Sequence, residues 1–188
     1  PLYAQLQAGQ FSVDEDLACA MYGELIDLAA GHGLEQYEIA NFARSGSNAP
    51  GEIPERACQH NVNYWRGGDF HGLGPSATGY VRGVRTKNWS NTQLYCEQLE
   101  KGKRAIESRE EFPPLKRAGE TAAFGLRMNA GWPFTEFQRV TGLDLRQDWA
   151  TDMDSLVQKG WALRSSDRFQ LTPQGLRFAD AAAEVFLR

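Results

Sequence analysis

The sequence predicts an α+β fold in which a helix and strand lead into a β-rich middle, and a mainly helical C-terminal part closes in a winged-helix pattern. Three observations carry this expectation. A capped amphipathic helix followed by a strand-like run occupies residues 12–40, short β-type runs alternate with glycines over 69–89, and the apolar spacing turns helical from Pro113-Pro114 onward. The 188 residues suffice for one domain or two small ones, and the expected division is 1–105 and 106–188. A chain of this length buries about 70% of its unfolded surface, so it needs no covalent staples.

Taken in order, Ser12-Val13-Asp14-Glu15 has the form of a capping box, with Ser12 capping the backbone and Glu15 reaching back. Leu17, Met21, Leu25 and Leu28 follow at spacings of 4, 4 and 3, one face of an amphipathic helix. Gly31-His32-Gly33 supplies a left-handed stop with His32 placed to cap carbonyls, and Gln36-Tyr37-Glu38-Ile39-Ala40 reads as a short strand leaving the helix. The 13 residues from Arg44 to Arg56 are rich in Ser, Gly, Asn and Pro, which is loop chemistry, and weak order is expected there. Tyr80-Val81-Arg82-Gly83-Val84-Arg85-Thr86 sets β-formers around a glycine, as a hairpin requires. After Lys101-Gly102-Lys103 the pattern changes, and helices are expected over 115–128, 134–140 and 147–159, the last with Trp149, Met153, Leu156 and Val157 on one face. Gly160 ends that helix. Trp161–Arg164, a polar turn at Ser165–Arg168 and Phe169-Gln170-Leu171 form a hairpin, and Thr172-Pro173 opens a final helix with Pro at its first position.

Composition excludes several classes. Five Trp, six Tyr and ten Phe are too many for a disordered chain, and no apolar run approaches the roughly 20 residues that span a bilayer. Cys19, Cys58 and Cys96 are odd in number and about 38 residues apart, with no CxxC pair for a metal or a disulfide framework. A folded cytoplasmic protein is the expectation. The net charge of −4 is uneven: residues 1–50 carry Arg44 against seven acids, whereas 51–105 carry eight basic and five acidic side chains. That basic middle suits an anionic small ligand, but a general nucleic-acid binder is far more basic. Pro1-Leu2-Tyr3 has neither an initiator Met nor a leader pattern, and the reading is of a piece of a longer chain.

The densest chemistry lies in His60-Asn61-Val62-Asn63-Tyr64-Trp65-Arg66. On a helix, His60 and Tyr64 share a face at i, i+4. An imidazole beside flat aromatic walls matches what haem needs, an axial nitrogen and an apolar surface, with Arg66 available to a propionate. The same residues also admit a plain reading, in which His60 bonds a loop and Trp65 fills core. Gly72, Gly74 and Ala77 match a G-x-G-x-x-A turn, yet no helix follows Pro75 and no acid stands about 20 residues on, so a dinucleotide fold is rejected; closely spaced glycines still permit backbone approach to a ligand or strand. The winged-helix pattern raises a DNA-binding module as a remote alternative. Helix 147–159 sets Asp148, Asp152 and Asp154 against Lys159 alone, a charge that repels phosphates, so no nucleic-acid partner is expected. No catalytic triad, Walker, HExxH or paired-carboxylate spacing stands out.

Four ordered motifs carry a family resemblance: Tyr37-Glu38-Ile39-Ala40-Asn41-Phe42-Ala43, His60-Asn61-x-x-Tyr64-Trp65, Gly72-Leu73-Gly74-Pro75-Ser76-Ala77 and Gly83-Val84-Arg85-x-x-Asn88. Along its whole length the chain resembles the C-terminal half of the radical-SAM haem chaperones of the HemW type, relatives of oxygen-independent coproporphyrinogen III oxidase (HemN). The resemblance implies the last strand and helix of a partial (β/α) barrel, a β-rich lid and a winged-helix-like domain. It implies haem as ligand, with His60 ligating iron, Asn61 orienting the imidazole, Tyr64 and Trp65 walling the macrocycle, and Arg66 beside them. It places Gly72, Gly74, Ala77 and Thr78 near S-adenosylmethionine. The family's CxxxCxC motif is absent, so the [4Fe–4S] cluster and S-adenosylmethionine cleavage belong to a full-length parent, this chain holds no catalytic residue, and whether the parent is an enzyme stays open. The loop 44–59 is longer than the family's usual link. The implied partners are the missing N-terminal half, haem or a porphyrin, and haem-accepting apo-proteins. Self-association is expected through an uncovered sheet edge and apolar surface. The enzymatic alternative is coproporphyrinogen III oxidase, which converts two propionates to vinyl groups; the HNxxYW element sets the chaperone branch apart from it.

Overall fold

The computed structural model describes residues 2–10, 12–44, 46 and 52–187. Of the segment 44–56, for which weak order is expected, positions 45 and 47–51 lie outside the described residues. After helix α1 (Leu2–Gln7), helix α2 spans Glu15–Gly31. Its cap is Asp14 rather than the expected Ser12: the Asp14 carboxylate accepts the Leu17 N–H at 2.9 Å, three residues into the helix, where a negative charge also complements the helix dipole. At the other end His32 Nδ1 donates to the Leu28 carbonyl at 2.8 Å, the capping role read from the sequence. The helix buries Ala29 and half-buries Tyr22 and Ile26. Its stripe of Leu17, Met21, Leu25 and Leu28 is instead 50–62% exposed.

Strands β1 (Leu34–Glu38) and β2 (Asn41–Arg44) form an antiparallel hairpin, so the expected strand starts two residues earlier and turns back at Ile39-Ala40. Glu38, 1% exposed, closes this turn by accepting the Ala40 N–H and the Asn41 amide. Asn129 ties β1 to the C-terminal part, donating its backbone N–H to Tyr37 O and its side-chain amide to Gln36 O. Helix α3 covers Gln59–Trp65 and packs against α5 (Pro114–Gly125).

Between them stands a three-stranded antiparallel sheet, β3 (Thr78–Val81), β4 (Val84–Asn88) and β5 (Ile106–Glu111), in the order β3-β4-β5. The expected hairpin turns on Arg82 and Gly83, both at positive φ (51° and 81°), the type I′ geometry that glycine makes accessible. Helix α4 (Thr92–Glu100), capped by Asn91, and the charged strand β5 are both absent from the sequence reading. β5 is held by cross-strand pairs, Arg85 with Glu110 at 3.6 Å and Lys87 with Glu107 at 3.5 Å, so the sheet runs past residue 106 to Glu111.

The C-terminal part continues with β6 (Trp132–Pro133), α6 (Phe134–Thr141), α7 (Leu145–Asp148), α8 (Ala150–Gln158), β7 (Ala162–Arg164), β8 (Arg168–Leu171), α9 (Pro173–Arg177) and α10 (Ala179–Glu184), with sheet order β6-β8-β7. The helix expected over 147–159 is two helices, because Trp149 leaves helical geometry (φ −128°, ψ 28°) and sits fully buried. Met153 and Leu156 share that core, whereas Val157 is 40% exposed. Thr172 caps α9 through the Gly175 N–H at 3.0 Å, as the Thr-Pro start implies. No helix among the described residues is long and apolar enough to cross a membrane.

Candidate functional site

Helix α3, helix α5 and the near face of the middle sheet enclose a cavity of about 360 Å³, within the size range of small-molecule sites. Each element contributes by its own periodicity. Tyr64 and Trp65 come from the last turn of α3. Arg117, Glu120, Thr121 and Phe124 of α5 recur at i, i+3, i+4 and i+7, while the Ala118 and Ala122 side of that helix enters the C-terminal core. Strand alternation sends Thr78, Tyr80 and Arg85 to this cavity and Gly79, Val81, Val84 and Thr86 to a second cavity, about 670 Å³, on the opposite face. The Phe70 segment runs beside β3, exchanging backbone bonds with Tyr80 at 2.7 and 2.8 Å, which fixes the Phe70 ring in the wall.

The aromatic rings form a line. His60 meets Tyr64 edge-on with centroids 4.5 Å apart, as the i, i+4 spacing predicts, and Tyr64 meets Phe70 edge-on at 4.4 Å. Phe70 lies 6.2 Å from Tyr80, and Trp65 lies 6.4 Å from Phe124. His60 is exposed at the outer end of this line, one ring beyond the cavity wall, and Asn61 makes no hydrogen bond to it among the described residues. Trp65 lines the cavity and also packs with Tyr37, Ala57, Val62 and Met128 in a small core. Burial pushes the Tyr80 phenol up, and the Arg117 and Arg85 guanidiniums pull against it.

Arg66 corrects one sequence expectation. Its guanidinium turns away from the cavity, donates to Gly131 O at 2.7 Å, lies 3.8 Å from Glu136 and stacks over Trp132 at 4.7 Å. Burial lowers its pKa and the Glu136 carboxylate partly restores it. Arg66 therefore joins α3 to the C-terminal part and is not at hand for a propionate.

The glycine-rich residues also separate. Thr78 faces the aromatic cavity and Gly72 the opposite one, while Gly74 and Ala77 line neither. Gly72 presses on β3, where a Cβ would come within 2.7 Å of the Thr78 carbonyl oxygen. Asn88 pins the loop by donating to both Gly72 O and Gly74 O at 3.1 and 3.0 Å. Strand packing accounts for Gly72 and a positive φ of 96° for Gly74, and the four residues do not converge on one pocket.

Sequence reasoning missed Phe70, Tyr80, Arg85, Arg117 and Phe124. The α5 members were visible as a second, mixed-polarity face opposite its alanines. Among the described residues no three His, Cys, Asp or Glu side chains gather as a metal site, and the three cysteines are free and exposed on separate elements. The donors needed for an iron–sulfur cluster are therefore not assembled by this chain's described residues.

Residues 112–178 match the HemN C-terminal domain model. The chain is 26% identical over 186 residues to "Heme chaperone HemW" of Bacillus subtilis, covering 98% of this chain and 47% of that protein. It is 32% identical over 139 residues to "Radical S-adenosyl methionine domain-containing protein 1, mitochondrial" of Danio rerio, covering 69% of this chain and 29% of that protein. Its fold superposes on coproporphyrinogen III oxidase (HemN) from Escherichia coli, a radical SAM enzyme, with a TM-score of 0.62 at 15% identity, over 88% of this chain and 39% of that one. The chain thus spans less than half the length of these relatives. Residues 112–178 thus match a HemN C-terminal domain, and the chain as a whole is similar to the C-terminal half of the HemW relatives and shares the fold of the C-terminal part of HemN.

Proposed function

We propose that the chain is the C-terminal portion of a radical SAM haem chaperone of the HemW type, and that the aromatic cavity is where it meets the haem macrocycle. The observation that carries this reading is the ring line from His60 through Tyr64 to Phe70, an imidazole held edge-on to an aromatic-walled cavity. The donor set fits the cargo: exposed His60 offers a nitrogen to iron, and Tyr64, Phe70 and Phe124 offer apolar faces. A cavity near the lower end of the ligand range takes the edge of such a macrocycle and leaves its iron toward the mouth. S-adenosylmethionine and the [4Fe–4S] cluster belong, in this reading, to the half that the relatives carry and this chain lacks, and haem-accepting apo-proteins receive the cargo. Coproporphyrinogen III oxidase is the second reading for the parent, favoured by the fold likeness and disfavoured by the His60-Asn61-x-x-Tyr64-Trp65 element.

A haem titration followed by absorbance tests the site. The expected result is a saturable, shifted Soret band that His60→Ala abolishes and Tyr64→Ala weakens by about tenfold, in line with the loss of a buried aromatic contact. An unchanged affinity and Soret position in His60→Ala would remove the imidazole from the site.

The exposed stripe of α2 is proposed as the surface on which the absent half packs, since Leu17, Met21, Leu25 and Leu28 form a continuous apolar face on a helix already anchored by its other side. The chain alone is then expected to self-associate in sedimentation equilibrium, and Leu17→Glu with Leu25→Glu to yield monomer with unchanged circular dichroism. A monomeric state of the unsubstituted 188-residue chain would refute this.

A further inference from the structure

We infer that Arg117 is the carboxylate-recognising residue of the aromatic cavity, so that the ligand taken there is a flat apolar macrocycle bearing a free carboxylate, held by its carboxylate edge between α5 and the β3–β4 turn. The inference rests on the haem reading above and names the group by which the macrocycle is held.

The charge arrangement in the cavity supports it. Two guanidiniums line the wall, but they are not equivalent. Arg85 is engaged on both sides, by Glu120 at 2.5 Å and Glu110 at 3.6 Å, and it also lies 5.3 Å from the centre of the Phe112 ring. Arg117 has no carboxylate within 4 Å among the described residues, although Glu120 stands one turn along the same helix. Its guanidinium rests against the hairpin turn: a Cβ on Gly83 would lie 2.3 Å from one of its terminal nitrogens, so the bare glycine, already required by φ +81°, leaves the room it occupies. The rings of Tyr64, Trp65, Phe70, Tyr80 and Phe124 make up most of the remaining wall, beside Thr78, Thr121 and the Glu120 carboxylate that Arg85 holds. An uncompensated guanidinium beside such a wall is matched by a ligand with an apolar plane and an anionic edge, because the guanidinium fork donates two parallel N–H bonds to a carboxylate. Arg66 is consumed by Gly131 and Trp132, and Arg127, which lies 5.2 Å from the centre of the Trp65 ring, is paired with Asp180 at 3.0 Å.

The test compares mesoporphyrin IX with its dimethyl ester, which has the same ring without free carboxylates, by fluorescence titration of the wild type and of Arg117→Gln, with circular dichroism confirming the fold. The wild type is expected to bind the diacid at least about tenfold more tightly than the diester, and Arg117→Gln to lose that preference by weakening the diacid alone. Equal binding of diacid and diester by the wild type, or an equal loss of both in Arg117→Gln, overturns the role of Arg117 and leaves the haem reading standing. Binding of neither porphyrin by the wild type overturns the role of Arg117, while the haem titration, in which iron is present for His60, decides the haem reading.

Discussion

Trp149→Ala is expected to lower the unfolding free energy by about 3–5 kcal/mol, the cost of emptying a fully packed aromatic site. Trp149 is wholly buried where α7 gives way to α8, edge-on to Phe137 at 6.1 Å and beside Phe186 at 6.4 Å, with Gly119 of α5 against its ring. One truncation therefore loosens α5, α6, α8 and the C-terminal segment together. Against a typical total of about 5–15 kcal/mol, that loss removes a large share of the stability. Among the described residues the indole N–H has no hydrogen-bond partner. Trp149→Phe thus forfeits packing volume but no bond, and it removes an unpaired polar atom, so less than half of the alanine cost is expected. Urea unfolding followed by far-ultraviolet circular dichroism measures both. Equal losses for the two variants would show that the nitrogen, and not the ring, is what matters.

Gly175→Ala should cost about 3 kcal/mol even though alanine is the better helix former by about 1 kcal/mol. The added methyl would stand 1.8 Å from the Trp161 carbonyl oxygen and 2.8 Å from its carbon. That carbonyl already accepts the Thr172 N–H at 2.9 Å, and Thr172 in turn caps Gly175 and donates to Gly160 O. All the obstructing atoms are backbone, so no rotamer relieves the overlap and α9 must move off β7. Loss of the Thr172 cap would accompany that shift. A melting temperature within about 1 °C of the wild type would contradict the argument, since a change of 1 kcal/mol already moves it by several degrees.

The elements legible in the sequence are those specified by neighbours along the chain. The Arg82-Gly83 turn, the β7–β8 hairpin, the Thr172-Pro173 helix start and the helices after Pro113 all rest on local turn chemistry or on a 3.6-residue apolar period. The i, i+4 pairing of His60 with Tyr64 was readable for the same reason. Strand β5 escaped because Ile106-Glu107-Ser108-Arg109-Glu110-Glu111 has Ile106 as its single β-type residue, and what holds the rest is the opposite charge of Arg85 and Lys87 across the ladder. The split of 147–159 escaped because a continuous apolar period does not reveal that Trp149 must leave helical geometry to enter the core.

The sequence by itself determined the α+β class, the family resemblance and the cluster of imidazole and aromatic side chains from His60 to Arg66. Only the tertiary structure decided which side chains meet. It withdrew Arg66 into a packing contact, divided Gly72 from Thr78 across a sheet, and brought Arg117, from a helix more than 30 residues downstream, beside Arg85 and Tyr80. Local periodicity reports the face on which a residue lies, but the element that covers that face is set by long-range packing. For the α2 stripe, that packing is not completed within the described chain.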